Sequence, residues 1–504
     1  MKSIRVTQFQ KYLIWLVILL LTIFSRFYLL ENKPLHFDEG INGWFTMQMR
    51  EMGFYKYDPT NYHGPLYFYL LRGFEAIWGQ SVVALRAVPA VCSVLSVMLF
   101  GFMVVRSKTV RYLMMLFLFF SPAFIFYGRS GIHEMPFVFF QLVFAVGMLR
   151  WFDEADGTSL GLLLTGAIGM MTLKETFTIN LAAWVVGLIF AGPKVLRQYF
   201  NFAKIKNAWS PRLTYLVGLL LVSFVLVFTG FLRNMPGLLD FVKAFLPWMK
   251  TGVGETGHNK EFWYWVKVLA QAEPLVLFGA GMSVIGLFTK DARMRMVSAF
   301  SLFQLLVYSF IPYKTVWCIL SLVWGFYFVL ALYAEKIFVR RNWQGYVFGL
   351  ILLIGIFGSV RSAWLSSYRE PIDLNHPYVY VNSTYEMKDL QNLILDMAKA
   401  NPLLRAEPLQ MGMKEQWPFP WVFRRFKTHW DLCTNKVIEN AWIYFCDTPA
   451  ENKVESFITE DYMKVKVMLR QQREYSVVYL KKSLFDGVYK GSFEVVSPMK
   501  EVPQ

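Results

Sequence analysis

The feature of this sequence that most restricts its fold is a series of long apolar runs with few charges. Several windows of about 18 or more residues are almost free of Asp, Glu, Lys and Arg, which is the length needed to cross about 30 Å of hydrocarbon. The hydrophobic fraction of 56% lies in these blocks. The first run is too long for a signal peptide and no small-residue cleavage site follows it, so we expect a retained span. The sequence therefore predicts an α-helical polytopic membrane protein.

We predict about eleven transmembrane helices, after which the chain turns polar from Ser366 to its end. The predicted spans cover roughly residues 12–30, 82–105, 112–127, 133–151, 159–173, 176–191, 213–232, 264–288, 296–311, 316–334 and 344–364. This pattern indicates two domains, a transmembrane domain over residues 1–365 and a soluble domain over residues 366–504.

The distribution of basic residues predicts which side of the membrane each loop faces. If the spans alternate, the basic clusters of the N-terminus and of four short loops all fall on one side, and the positive-inside rule makes that side the cytoplasm. The clusters are Lys2, Arg5 and Lys11; Arg106, Lys108 and Arg111; Lys194, Arg197, Lys204, Lys206 and Arg212; Lys290, Arg293 and Arg295; and Lys336, Arg340 and Arg341. The net charge of +16 thus reflects topology rather than a nucleic-acid partner. We expect an inner or plasma membrane protein with a cytoplasmic N-terminus and an extracytoplasmic C-terminal domain.

The outer loops contain the polar motifs, beginning with "HFDEGING" at residues 36–43. An ionised Asp at the bilayer centre costs about 3 kcal/mol even on a lenient scale, so Asp38 and Glu39 are expected at or above the interface. A carboxylate there can accept a proton from an incoming hydroxyl or bind a cation. The alternative is a solvated loop with incidental charge.

The stretch "YHGPLYFYLL" follows, and its Gly64-Pro65 pair begins an amphipathic segment of about 15 residues. This segment is too short to span, so we predict that it lies in the membrane interface, where aromatic residues are favoured. His63 is a candidate for a phosphate or a metal ion. The alternative is an interfacial histidine without a ligand.

Three further outer loops contain candidate phosphate ligands and acids. In "YGRSGIHEM", Arg129 suits a phosphate, and Glu134 is either a second functional carboxylate or a span-end charge. In "LKET", Lys174 and Glu175 either mark the turn or pair with groups in an outer cavity. In "IPYKTVW", Lys314 is either a phosphate-binding cation or a snorkelling interface lysine.

Two features concern metals and transport. His258 in "ETGHNKEFWYW", together with His63 or a distant carboxylate, would form a sparse nitrogen and oxygen metal site. Glu273 falls within the eighth predicted span. An acid at that depth suggests a function by default, unless it lies near enough to the outer end to be hydrated.

The order of these motifs resembles that of GT-C type membrane glycosyltransferases. That superfamily includes the protein O-mannosyltransferases and the aminoarabinose transferases of lipid A, and the sequence is most similar to the branch named "flippase activity-associated". The resemblance covers nearly the whole chain and is most specific in "HFDEG", "YHGPLYFYLL" and "PYKTVW". In the tail, "EQWPFPWVFRRF" also resembles a family segment.

This resemblance implies a hexosyl- or pentosyltransferase that takes its sugar from a polyprenyl-phosphate donor. The transfer would be inverting, on the outer face, to a glycan, lipid or protein acceptor. Asp38 matches the essential acid of the first outer loop, which orients or deprotonates the acceptor hydroxyl. Glu39 is a neighbouring acid whose role is not separated from that of Asp38. Many relatives have Asp in the second outer loop, where this chain has Glu134, the third candidate catalytic acid.

The resemblance also implies where the donor phosphate and a metal would bind. His63 stands where relatives place phosphate- or metal-binding residues, and His258 stands near a histidine that some relatives use for a metal. A divalent metal ion is the cofactor that these positions suggest. Cations that contact the phosphate in the transition state lower the barrier, and Arg129, Lys174 and Lys314 are the candidates.

Two other functions compete with this prediction. A transporter or flippase of lipid-linked sugars should show internal repeats and polar sites in broken helices, and Glu273 is the feature that favours it. No clear repeat is found in the sequence. A non-catalytic scaffold is the third hypothesis, and it predicts that Asp38 is dispensable for function.

The C-terminal domain is expected to be a small α/β domain. "PYVYVN", "AWIYFC" and "YSVVYL" favour strands, and "TYEMKDLQNLILDMAKA" favours a helix with Leu390 and Ile394 on its buried face. Cys433 and Cys446 form a disulfide if they are close in an oxidising compartment.

Overall fold

The computed structural model describes residues 8–61, 63–102, 107–254, 257–339, 342–470 and 474–498. Tyr62 and the basic residues Lys2, Arg5, Arg106, Arg340 and Arg341, which entered the sequence predictions, lie outside these ranges.

The described residues form helices over most of the chain and a sheet near its end. The α-helices are α1 Gln8–Phe27, α2 Phe37–Met52, α3 Leu66–Trp78, α4 Val82–Phe102, α5 Lys108–Phe120, α6 Pro122–Tyr127, α7 Glu134–Asp153, α8 Gly157–Met171, α9 Phe177–Ala191, α10 Pro193–Tyr199, α11 Phe202–Ala208, α12 Pro211–Phe228, α13 Gly237–Lys243, α14 Phe245–Val253, α15 Tyr264–Ala272, α16 Pro274–Gly286, α17 Ala292–Phe310, α18 Ile319–Val339, α19 Trp343–Trp364, α20 Tyr385–Ala400, α21 Phe419–Val422, α22 Glu451–Glu455 and α23 Lys482–Phe485. The strands are β1 Leu409–Gly412, β2 Thr428–His429, β3 Ile443–Asp447, β4 Tyr462–Arg470, β5 Glu474–Lys481 and β6 Glu494–Val496.

Every predicted span coincides with one helix or with a pair of consecutive helices. Among the described residues, 5 helices are long and apolar enough to cross a membrane by themselves, within Val82–Gly101, Glu134–Asp153, Pro211–Phe228, Val316–Phe338 and Trp343–Arg369. Shorter apolar helices account for other predicted spans, including Tyr12–Phe27 and Gly157–Met171. The predicted interfacial segment forms the short helix α3.

Two predicted spans are broken by proline. Ser121 ends α5 and caps α6, which begins at Pro122, and Glu273 separates α15 from α16, which begins at Pro274. Proline is well tolerated at the first position of a helix because its missing N–H would have no partner there.

A buried carboxylate joins these two breaks. Glu273 accepts hydrogen bonds from Ser121 Oγ at 3.1 Å and from the backbone N–H of Ala123 at 2.8 Å. It also accepts from the hydroxyl groups of Tyr327 at 2.7 Å and Tyr378 at 3.0 Å. Four donors therefore surround the Glu273 carboxylate, which gives this acid a structural role. A transporter would instead need a polar group at this position that is available to bind a substrate.

The chain divides into two compact units. The first unit comprises residues 1–30 and 48–378, and the second comprises residues 31–47 and 379–504. In the first unit, α18 is almost wholly buried and packs against α5, α7, α16, α17 and α19. The short segment 31–47, which contains the "HFDEGING" motif, belongs to the second unit. The domain division at residue 365 stays a prediction.

The second unit contains a mixed six-stranded sheet in the order β2-β1-β3-β5-β4-β6. Strands β1 and β2 and strands β1 and β3 are parallel, and the remaining pairs are antiparallel. The predicted helix is present as α20, with Leu390 and Ile394 buried, and Cys433 forms a disulfide with Cys446 at a Cα–Cα distance of 5.7 Å. The strand predicted for "PYVYVN" is wrong, because these residues form only an isolated bridge between His36 and Asn382.

Candidate functional site

A cavity of about 360 Å³ in the first unit brings together three of the four predicted phosphate-binding residues. His63, Lys174 and Lys314 all line it, although they come from three separate loops. Aromatic side chains form much of the remaining wall, including Trp248 and Trp265. The cavity thus combines cationic groups with an apolar enclosure that is able to exclude water.

Lys314 is a cation of this cavity that has no acidic partner among the described residues. Its side chain is buried, and its ammonium donates to the carbonyl oxygens of Ile311 at 2.6 Å and Lys260 at 3.1 Å. An ammonium has three donors, and no described carboxylate pairs with this one. Burial lowers the pKa of Lys314, because the charged form loses its hydration. An anion in the cavity would relieve that cost.

Lys314 is held in place by the pairing of two loops. The backbone N–H of Lys314 donates to the carbonyl of His258 at 3.1 Å, and that of Lys260 donates to Pro312 at 2.9 Å. Asn259 and Tyr313 form the bridge between the two segments. Residues 258–260 and 312–314 therefore form one local structure.

Lys174 differs from Lys314 because it has a buried counter-ion. Its ammonium donates to Glu134 Oε2, while Ser321 Oγ donates to Glu134 Oε1 at 3.1 Å. Burial works against the charge of Lys174, but the Glu134 carboxylate and Cys318 outweigh it and hold its pKa well above its usual range. Glu134 is not among the residues that line the cavity. Its predicted role as a catalytic acid stays a prediction, and the structure shows it as the partner of Lys174.

His63 pairs with an acid that the sequence analysis did not select for the site. Its Nδ1 lies 3.3 Å from Glu175 Oε2, and the Glu175 side chain is buried. The His63 ring also lies 4.8 Å from the buried ring of His133. From the sequence, Glu175 is predicted to be a turn or pairing residue. The position of Glu175 next to Lys174 indicates that the two residues share a loop.

The "HGPL" and "LKET" motifs are joined through their backbones. The N–H groups of Gly64 and Leu66 donate to the carbonyls of Leu173 at 3.0 Å and Thr172 at 3.1 Å. A Cβ at Gly64 would lie 2.2 Å from the Thr172 carbonyl oxygen, so only glycine permits this approach. The close contact places His63 beside the neighbouring residues Lys174 and Glu175.

Arg129, the fourth predicted phosphate ligand, is engaged elsewhere in the first unit. It donates to the carbonyls of Arg26 at 3.1 Å and Leu29 at 3.0 Å near the end of α1, and it stacks over the ring of Tyr368. Positive groups commonly satisfy the unpaired carbonyls at a helix C-terminus. Arg129 is not among the residues that line the cavity.

The predicted metal ligands do not form a complete site. Among the described residues, no group of three or more His, Cys, Asp or Glu side chains is placed to hold a metal ion. His63 lines the cavity, whereas His258 is not part of that lining and lies against the ring of Tyr313 at 5.1 Å. The described residues therefore show no protein-ligated metal site, and the divalent metal ion stays a prediction.

In the second unit, the structure separates the roles of the two adjacent acids. Glu39 is fully buried, and its Oε2 accepts from the backbone N–H of His36 at 2.9 Å. This bond caps the first turn of α2, as a Glu at the third helical position commonly does. Asp38 is half-buried, and its carboxylate has no hydrogen-bond or ion-pair partner among the described residues.

His36 and Tyr380 lie near Asp38 within the second unit. The Nδ1 of His36 accepts from the Asp38 N–H at 3.0 Å, and burial lowers the pKa of His36. Burial, together with the charge of Asp38, raises the pKa of Tyr380, while Arg470 acts in the opposite direction. Tyr380, which the sequence motifs do not single out, therefore lies near Asp38, and Arg470 lies near Tyr380.

The helical first unit and the small mixed sheet of the second confirm the predicted fold class, a GT-C like polytopic membrane protein with an α/β unit. The solved structures that share this fold include two crystal structures of ArnT from Cupriavidus metallidurans, one in the apo state and one bound to undecaprenyl phosphate. Each aligns with a TM-score of 0.62 at 11% identity, covering 95% of this chain and 99% of the other. No family model and no curated protein matches the sequence. At this identity the likeness establishes the fold.

Proposed function

We propose that this protein is a membrane glycosyltransferase that transfers a sugar from a polyprenyl-phosphate donor to an acceptor on the extracytoplasmic face. The main support for the proposal is the cavity, in which the buried ammonium of Lys314 has no acidic partner within the part of the chain that the structure describes. A buried charge without a counter-ion is costly, so such a cavity favours an anion. A protein of the same fold has been crystallised with undecaprenyl phosphate, which supports a lipid phosphate as that anion.

The donor phosphate is assigned to Lys314, Lys174 and His63. Lys314 supplies the unneutralised charge, whereas Glu134 already balances much of the charge of Lys174. Negative charge builds on the phosphate as the sugar leaves, and cations already in place stabilise that charge without reorganisation. The aromatic walls reduce hydrolysis of the donor by keeping water out.

Asp38 is assigned as the base that accepts the acceptor proton. In one displacement, the acceptor oxygen forms a bond to the anomeric carbon, the bond from that carbon to the phosphate oxygen breaks, and the acceptor proton passes to the Asp38 carboxylate. Polyprenyl phosphate leaves with the bonding electrons, and attack from the opposite face inverts the anomeric configuration. Asp38 suits this role because its carboxylate is half-buried and has no partner among the described residues, whereas Glu39 is buried and engaged in the helix cap.

The orientation in the membrane is proposed from two observations. The basic loop clusters favour a cytoplasmic N-terminus. The Cys433–Cys446 disulfide of the second unit is typical of an oxidising compartment and supports its extracytoplasmic location.

Donor binding tests the assignment of the cavity. We expect purified protein in nanodiscs to bind undecaprenyl phosphate, and Lys314→Gln to weaken binding about 10- to 100-fold, which corresponds to the loss of one charge-assisted hydrogen bond. The matched control is Lys399→Gln, which removes an exposed lysine in α20. Equal affinities of wild type and Lys314→Gln would remove this cavity as the phosphate site.

A transporter or flippase of lipid-linked sugars remains the alternative, and the two helix breaks are the observation in its favour. It predicts donor movement across a bilayer without a glycosylated product. The divalent metal stays a prediction, for which elemental analysis of the purified protein is the direct measurement.

A further inference from the structure

The segment that contains Asp38 is built into the second unit by backbone hydrogen bonds. The N–H of Phe37 donates to Val381 at 3.3 Å, and the N–H of Ser383 donates to Leu35 at 2.9 Å. The side-chain amide of Asn382 adds a bond to the carbonyl of Pro34 at 3.3 Å. Residues 34–37 are therefore fixed on both sides of the point where α2 begins.

Two glycines allow the segment 417–421 to lie directly against the first turns of α2. A Cβ at Gly40 would lie 2.5 Å from the Cα of Pro418, and a Cβ at Gly43 would lie 2.2 Å from Cδ1 of Trp421. Such distances are too short for any larger residue without displacement of the neighbour. The "HFDEGING" and "EQWPFPW" motifs, which are far apart in sequence, thus form one packed structure.

Arg470 connects the same two motifs from a third element. Its guanidinium lies over the Phe37 ring, 5.0 Å from the centroid, and donates to the carbonyl of Trp417 at 3.2 Å. The side chain is buried at the end of β4, where it also lies 3.6 Å from Glu415. A planar guanidinium is able to stack and donate in two directions at once, which an ammonium cannot do.

We propose that Trp421 and Arg470 are positioning residues that fix Asp38 for proton transfer, and that the C-terminal part of the chain is therefore required for catalysis. This inference rests on the proposed function, in which Asp38 is the base. Asp38 lies between Phe37, which Arg470 holds, and Gly40, against which Pro418 packs. A displacement of about 1 Å at a catalytic group is enough to reduce a rate about 100-fold.

The test compares Gly43→Ala with Gly73→Ala, which adds the same methyl group to a helical glycine that has open space around it. We expect Gly43→Ala to displace Trp421, to accelerate amide hydrogen exchange in residues 35–43, and to lower kcat for sugar transfer at least 10-fold. Binding of undecaprenyl phosphate should stay within twofold of wild type. Gly73→Ala should change none of these quantities.

Arg470→Lys provides a second variant that keeps the charge, with Arg425→Lys at an exposed position as its control. We expect the same split for Arg470→Lys, a lower kcat with unchanged donor affinity, and no effect of Arg425→Lys. An unchanged kcat in Gly43→Ala and Arg470→Lys would overturn the inference. A loss of donor binding in step with the loss of kcat would also overturn it, because it indicates general unfolding. If wild-type protein binds donor but transfers no sugar, the proposed function itself fails, while the exchange measurement still reports whether the two motifs pack together.

Discussion

At the scale of single residues, the two cavity lysines are distinguished by their partners. Lys174 is paired with a buried carboxylate, whereas the described acceptors of the Lys314 ammonium are carbonyl oxygens. Glu134 and Glu39 are engaged by neighbouring groups, and the Asp38 carboxylate has no partner in the described ranges. The sequence identified all of these residues as candidates, but residue type alone does not distinguish an available acid from one that is already bonded.

The Glu134–Lys174 pair predicts how stability responds to its removal. Loss of one partner from a buried pair costs about 3–5 kcal/mol because the other charge is left uncompensated. We expect Glu134→Gln to lower the unfolding temperature strongly, and the double variant Glu134→Gln with Lys174→Met to recover part of it. Thermal unfolding in detergent measures both. A stable Glu134→Gln protein that has lost only its turnover would instead support Glu134 as a catalytic acid.

Substitution of Glu39 should lower the stability of the protein, whereas substitution of Asp38 should not. Glu39→Ala removes the helix cap and should cost about 0.5–2 kcal/mol, whereas Glu39→Gln keeps an acceptor oxygen and should cost less. Asp38→Asn should leave the unfolding temperature unchanged, because its carboxylate has no described partner. A large loss of stability in Asp38→Asn would show that this acid is structural.

The pKa of Lys314 predicts the pH dependence of donor binding. Burial disfavours the charged form in the free protein, so its pKa lies below the ordinary lysine value. Affinity for undecaprenyl phosphate should therefore fall as pH rises through this lowered pKa, before an ordinary lysine would lose its proton. Lys314→Arg should flatten the profile, because Arg stays charged throughout. Titration of donor binding between neutral and alkaline pH checks this, and identical profiles would contradict it.

At the scale of helices, hydropathy predicted the position of each span but not the breaks in two of them. The reason is that apolar composition continues through Ser121-Pro122 and Glu273-Pro274, while the hydrogen bonds that stabilise the breaks come from residues distant in sequence. The amphipathic segment after Gly64-Pro65 forms the short helix α3, and its location in the membrane interface stays a prediction. "PYVYVN" failed as a strand because β propensity requires a neighbouring strand to pair with.

The Glu273 network predicts a structural phenotype. Glu273→Gln replaces one acceptor oxygen by a donor and leaves part of the network unsatisfied, at a cost of about 1–3 kcal/mol. We expect a lower unfolding temperature with an unchanged KM for the donor. A variant of normal stability that has lost transport of a lipid-linked sugar would instead support the transporter alternative.

At the scale of the whole molecule, the sequence predicted the fold class and three of the polar side chains that line the cavity. Motif order supplied His63, Lys174 and Lys314, which the structure brings to one cavity. It did not predict the pairing of His63 with Glu175 or the packing of residues 31–47 with the C-terminal segment. Both depend on contacts between distant parts of the chain, which periodicity and composition do not encode.

We propose that this protein transfers a sugar from a polyprenyl phosphate and that Asp38 acts as the base. The most direct measurement is single-turnover transfer from polyprenyl-phosphate sugars to candidate acceptors, comparing wild type with Asp38→Asn. We predict product with wild type, a rate at least 100-fold lower in Asp38→Asn, and equal binding of undecaprenyl phosphate by both proteins. Transfer by Asp38→Asn at the wild-type rate would contradict the assignment of Asp38 as the base.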